Sequence, residues 1–239
     1  MKSYQIHLIR HGMTQANLQG RYIGSTDVPL SQEGIEQLKQ YDKRYRYPGA
    51  AVFYSSPLQR CVQTMKLLYP QVEPQLVPGL AECNFGQWEG KTAQELQNDE
   101  LFAQWLENGQ QISPPGGESG KEFAYRVCSA FEKLVEGMLR SGQTQAVVVT
   151  HGGVIMTLMA AYALPRASSF DWMVDSACGY SLRIIPGLWM RDMVAEAYAT
   201  LPQGKNAKAA QHSEPILNIA REAAERAYHT EEHSEDSNS

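Results

Sequence analysis

Two histidines of this chain stand in matching settings. His11 in "LIRHGMT" and His151 in "VVVTHGGVI" each close an apolar run and are each followed at once by glycine. Glycine lets the backbone turn sharply, so both imidazoles would leave their strands toward one crevice at the strands' carboxyl ends. A single histidine so placed reads equally well as an ordinary polar start to a loop; the same arrangement twice does not. Arg10 adjoins His11, and Arg60 falls one helical turn into the segment after the next strand, where both guanidinium groups can face the same crevice. Taken alone, Arg60 reads as a surface helix residue, and its value comes from this company. Two arginines and two histidines make a compact cationic pocket, and a planar guanidinium grips phosphate or carboxylate through paired N–H bonds. The pocket asks for a phosphoryl group. His7 lies within its strand and reads as a packed or surface histidine without a part in the chemistry; His212, His229 and His233 fall in a polar tail.

Such side chains need a scaffold, and the chain offers strands alternating with helices. Residues 4–9 form an apolar run, 31–41 a helix opened by Ser-x-x-Gly, and 51–54 the next strand. Ser56 is expected to cap the following helix with Pro57 in its first turn. The run 145–150 leads through a glycine turn into the apolar helix 154–164, and 180–185 with 188–194 read as a closing pair of strands. Strand, polar turn, helix occurs three times. The expected fold is α/β, a mostly parallel central sheet with helices on both faces.

Two regions break the rhythm. Residues 84–120 carry a Gly-rich turn, two short helix candidates and "SPPGGES", and read as a lid insertion over one sheet edge. Its aromatics Phe85, Trp88 and Trp105 read as core, with stacking on a substrate ring as the alternative. The domain is expected to span 1–201, followed by a polar extension over 202–239. In that extension, 215–228 is a helix candidate whose Ile216, Ala220, Ala223 and Ala227 would dock on the parent domain or on a second subunit, which admits a homodimer; the last stretch is expected to be disordered.

Composition narrows the classes. At 239 residues the chain can bury one sizeable core with little left for a second domain. A formal net charge of −5 argues against nucleic acid as partner, because phosphate-backbone binders carry broad basic faces. Cys61, Cys83, Cys128 and Cys178 form no CxxC pair, so neither a zinc knuckle nor a disulfide framework is expected. Neither a signal peptide nor an 18-residue apolar run is evident, and a cytoplasmic protein without membrane partners is the expectation.

The blocks "LIRHGMTQANLQGRYIGSTDVPLSQEG", "SSPLQRCVQT", "LAECNFGQWEGKT", "PPGGES" and "VVVTHGGVI" together resemble the histidine phosphatase superfamily, in order from about residue 4 to residue 194. Within it they are similar to the phosphatase branch that includes alpha-ribazole phosphatase and broad-specificity phosphatases. The resemblance implies a phosphoglycerate-mutase-like fold and hydrolysis of a small organic phosphate monoester, with neither metal nor cofactor. It makes His11 the nucleophile that becomes phosphohistidine, with its other ring nitrogen held by a backbone carbonyl. Arg10, Arg60 and His151 would hold the transferring group, Asn17 and Gly152 would add phosphate contacts, and Glu82 would be the general acid. Ala81 departs from the arginine often found before that glutamate, so the resemblance implies no substrate contact at that position. A phosphoglycerate mutase is the alternative; Ile23, the "HGG" after the distal strand and Lys91 as the single basic residue between Phe85 and Gly120 favour a phosphatase. A non-catalytic module that binds a phosphorylated ligand and a metal-dependent hydrolase using His11, His151 and Glu82 are the readings from other classes.

Overall fold

The apolar run behind His11 is the middle of a sheet. In the computed structural model, which describes residues 2–108 and 112–205, it forms β1 (Tyr4–Arg10). There follow α1 (Gln15–Leu18), α2 (Gln32–Arg44), β2 (Val52–Ser55), α3 (Gln59–Leu68), β3 (Gln75–Leu76), α4 (Glu100–Asn108) and α5 (Gly120–Ser141). The chain continues through β4 (Gln145–Thr150), α6 (Gly152–Tyr162), β5 (Ala163–Leu164), β6 (Gly179–Ile184), α7 (Pro186–Asp192) and β7 (Ala195–Leu201). The strands form one sheet in the order β3-β2-β4-β1-β6-β7-β5, with β6 running against the other six.

Strand alternation divides the core between two faces. Ile6, Leu8, Ala146 and Val148 pack with Val127 and Phe131 of α5 and with Val154, Ile155 and Leu158 of α6. Ile9, Val147 and Val149 pack with Leu38 of α2 and with Cys61, Met65 and Leu68 of α3. Helices thus cover both faces. Among the described residues, no helix is long and apolar enough to cross a membrane.

Local chemistry explains the boundaries. Ser31 accepts the Gly34 N–H and starts α2. Ser119 and Glu122 form a reciprocal capping box at the start of α5, and Gly142, at φ +73°, ends it in the left-handed conformation. The closing strand pair differs from expectation: residues 186–192 form α7, not a strand. Pro186 sits in the first turn, where its fixed φ favours a helix, and the strand that follows β6 and pairs with its outer edge is β7, beginning at Ala195. Of the two helix candidates in 84–120, α4 is one; the chain around Trp88 makes a single 3₁₀ turn, Gly86–Trp88. The helix candidate 215–228 lies outside the described residues, as does the stretch expected to be disordered.

His7 is 3% exposed, and its Nδ1 lies 2.8 Å from Ser181 Oγ on the neighbouring strand. Burial depresses its pKa from 6.5 to about 4, so the folded ring stays neutral where the unfolded one takes up a proton. The stability this preserves is complete above pH 6.5 and is lost as pH falls toward 4, by up to about 3 kcal/mol. Urea unfolding of His7→Asn is expected to show a shallower loss over that window than the parent; identical slopes would assign the loss elsewhere.

Candidate active site

The parallel register pairs Arg10 with Thr150, so the residues that follow, His11 and His151, leave adjacent strands side by side. Their ring centroids are 5.2 Å apart in an edge-to-face arrangement. His11 Nδ1 lies 2.7 Å from Gly12 O. A carbonyl only accepts, so this bond assigns the proton to Nδ1 and leaves the Nε2 lone pair available. Burial, then the charges of Arg60 and Arg10, hold the His11 pKa well below its ordinary value. The turn is fixed from both sides. Thr64 of α3 accepts the Gly12 N–H at 2.9 Å while donating to Arg60 O at 2.6 Å. Ala177, at φ +63°, directs its N–H to the carbonyls of Arg10 and His11, 3.1 Å from each. A left-handed alanine is strained, and here it supports the loop from below.

His151 is wholly buried. Arg60 Nε donates to its Nδ1 at 3.3 Å, and its Nε2 lies 2.7 Å from Ser56 Oγ. This pair of contacts fits a neutral ring protonated on Nε2. Burial and the neighbouring Arg60, His11 and Arg10 depress its pKa strongly. Ser56 was expected as a helix cap; α3 instead begins after Leu58, without a side-chain cap from that residue, and Asp27 receives the Gln59 N–H at 2.7 Å. The serine is drawn inward by the histidine.

Arg60 is 1% exposed. Besides His151 it donates to Thr26 O at 3.0 Å and Gly24 O at 2.7 Å. Those carbonyls belong to a loop that Glu89 clamps: its carboxylate takes the N–H of Ser25, the Ser25 hydroxyl and the N–H of Thr26, at 2.7 to 2.8 Å. Arg10 donates to Val174 O at 2.9 Å. A Cβ on Gly152 would come within 3.3 Å of Arg10 Nε, so the first residue of α6 lies directly against that guanidinium.

Glu82 joins from the segment after β3. Its carboxylate accepts the N–H groups of Gly153 and Cys83, each at 3.0 Å, and thus rests on the positive end of α6. A Cβ on Gly153 would stand 2.6 Å from Oε1. Burial raises the carboxyl above its ordinary pKa, against the opposing pull of both N–H groups, Arg60 and Arg10. Asn17 is bound locally: its Oδ1 accepts from the N–H and hydroxyl of Thr14, completing the capping box of α1.

His11, His151, Arg10, Arg60, Gly152 and Glu82 therefore converge on the carboxyl ends of β1 and β4. The pocket can bind an oxyanion, offer a neutral imidazole nitrogen and hold a carboxyl whose proton is retained to higher pH. Nothing in the sequence marks Ser56, Thr64, Glu89, Gly153 or Ala177 as site residues; each works through a partner remote in sequence, and no local pattern marks that partner. Phe85, Trp88 and Trp105 pack with Tyr22, Leu96 and Phe102 as a separate small core, Trp88 donating to Asp99 at 3.0 Å. Among the described residues, no group of three or more His, Cys, Asp or Glu side chains is placed as metal ligands would be.

The family model described as "Histidine phosphatase superfamily (branch 1)" matches residues 6–195. The adenosylcobalamin/alpha-ribazole phosphatase of Escherichia coli (strain K12) is 30% identical over 186 residues, covering 75% of this chain and 90% of the relative. A 2,3-bisphosphoglycerate-dependent phosphoglycerate mutase 2 from Gloeobacter violaceus is 29% identical over 160 residues, 64% of this chain and 72% of the mutase. The crystal structure of the alpha-ribazole phosphatase from Shigella flexneri superposes with a TM-score of 0.70 at 28% identity, covering 82% of this chain and 95% of that one.

Proposed function

Because the chain belongs to branch 1 of the histidine phosphatase superfamily, we propose that it hydrolyses a small organic phosphate monoester through a phosphohistidine on His11. The observation that carries the reading is the His11 Nδ1 to Gly12 carbonyl bond of 2.7 Å, which leaves Nε2 unprotonated inside a cationic pocket. Nε2 attacks phosphorus in line; the P–O bond to the leaving group breaks as the P–N bond forms. Arg10 and Arg60 hold the equatorial oxygens and offset their charge, and the neutral His151 contributes its Nε2–H when that donor turns from Ser56 to a phosphoryl oxygen. Asn17, its Oδ1 committed to the α1 cap, adds its amide N–H, and Gly152 permits close approach beside Arg10.

Glu82 protonates the leaving oxygen and then, as carboxylate, takes a proton from the water that attacks the phosphohistidine; the P–N bond breaks as the new P–O bond forms, which frees phosphate and returns His11 Nε2 to its unprotonated state, so one carboxyl group serves both halves. Its raised pKa supports the acid role, and its seat beside α6 supports its aim. Water rather than a second phosphorylated substrate is the acceptor. The insertion supports this reading, since Lys91 is its only basic residue between Phe85 and Gly120 and a mutase needs more to grip a carboxylate. Relatives named for alpha-ribazole make that ester the first to try, beside sugar phosphates and nucleotides.

The test is phosphate release from an aryl phosphate in excess chelator, with a labelled ester quenched in alkali to trap the phosphoenzyme. The expected result is turnover with acid-labile, alkali-stable label on one histidine. Turnover abolished by chelator, or label absent from a turning-over enzyme, overturns the mechanism; label transferred to a phosphorylated glycerate instead of water selects the mutase.

A further inference from the structure

Arg126, on the second turn of α5, lies behind the segment that carries Glu82. Its guanidinium makes five hydrogen bonds: Nε and Nη2 to the two oxygens of Glu118 at 2.9 and 2.8 Å, Nη1 to Gly79 O and Ala81 O at 3.0 Å each, and Nη2 to Glu82 O at 3.3 Å. Three carbonyls of one short segment thus converge on a single cation. Without it their dipoles would point at one another with no donor between them, and the segment would have to rearrange.

The same node holds both feet of the 84–120 insertion. Glu118 N–H donates to Asn84 O at 2.8 Å, and its carboxylate receives the Asn84 N–H at 3.4 Å. Asn84 stands two residues beyond Glu82. Fixing the main chain at 79, 81, 82 and 84 leaves the Glu82 side chain few ways to turn, and the Gly153 N–H selects the one that faces the pocket.

We propose that Arg126, paired with Glu118, is the positioning residue that aims the Glu82 carboxyl at the leaving oxygen and ties that aim to the seating of the insertion. The proposal rests on Glu82 being the general acid. Arg126 touches no reacting atom; it acts through the main chain of Glu82.

The experiment compares kcat/KM, which covers the ester only up to departure of the leaving group, for 4-nitrophenyl phosphate and a simple alkyl phosphate. A nitrophenolate leaves without a proton, whereas an alkoxide needs one, so loss of the acid is felt on the alkyl ester alone. General acid catalysis contributes on the order of 10²–10⁴-fold. Arg126→Gln is therefore expected to slow the alkyl ester by roughly 10²-fold or more while the aryl ester changes by less than about threefold. Glu118→Gln keeps the shape but removes the charge of the pair; it is expected to show the same split more weakly, and it stands in if Arg126→Gln does not fold. Glu82→Gln is the reference. If Glu82→Gln shows the split and neither node variant does, or if the node variants slow both esters equally, the positioning role is overturned and the node is merely structural. If Glu82→Gln itself slows both esters equally, the acid assignment falls and this inference falls with it.

Discussion

His11→Ala is expected to lower kcat/KM for an aryl phosphate by ~10⁴-fold or more, a barrier increase of about 5.5 kcal/mol, and to abolish the trapped phosphoenzyme. On the proposed mechanism the variant removes the nucleophile and leaves the proposed phosphate-binding groups in place: Arg60, Arg10 and His151 keep their contacts to Gly24, Thr26, Val174 and Ser56. Inorganic phosphate should therefore still bind within about tenfold of the parent affinity, a limit of about 1.4 kcal/mol. Thermal stability should hold or rise, because a buried imidazole kept neutral beside two guanidinium groups is placed for chemistry at some cost to folding. Activity within tenfold of the parent would remove His11 from the mechanism; loss of phosphate binding along with turnover would assign it to binding instead.

Arg60→Ala is expected to act on rate and fold together. A preorganised donor to the transferring phosphoryl group is worth roughly 10²–10³-fold in rate. The same substitution strips the carbonyls of Gly24 and Thr26 of their donor and deprives His151 Nδ1 of its partner, each loss costing about 1–3 kcal/mol when the group stays buried. The melting temperature should drop measurably. Arg60→Lys restores the charge but reaches fewer of the three acceptors and should recover only a small part of either quantity. The pH profile provides an independent reading. The Arg60 charge depresses the pKa of both histidines, so its removal should move the acid limb of kcat/KM to higher pH. An unchanged saturation curve and an unmoved limb would mean that Arg60 serves only the loop at Gly24–Thr26.

Much of the central pocket is legible in the sequence because it depends on local pattern. An apolar run, a titratable residue and a glycine locate His11 and His151 at strand ends, and the segment after β2 places Arg60 on a helix. Glu82 is different. Its residue type and spacing do not separate it from a solvated carboxylate, and its assignment rests on the resemblance of the block around it to the family. What stayed hidden depends on long-range partners: Ser56 meets His151 across 95 residues, Glu89 meets Ser25 across 64 and Arg126 meets Glu82 across 44. α5 is the exception, a 22-residue helix whose opening Ser-x-x-Glu box is a purely local signal. At 188–194 an apolar run looked like a strand, and the proline before it decided for a helix.

The register that sets His11 beside His151 also dictates when activity can first arise. β1 finds its parallel neighbour about 140 positions later and its antiparallel one later still, in β6. Contacts of such separation close slowly, because a long loop must be ordered before they return any stabilisation. A growing chain that has emerged only as far as Gly142 holds His11, Arg10, Arg60 and Glu82 but lacks the strand that would align them. Catalytic competence is thus a late event of folding, and regain of turnover during refolding would time the β1–β4 closure, with early helix formation already complete and the enzyme still silent.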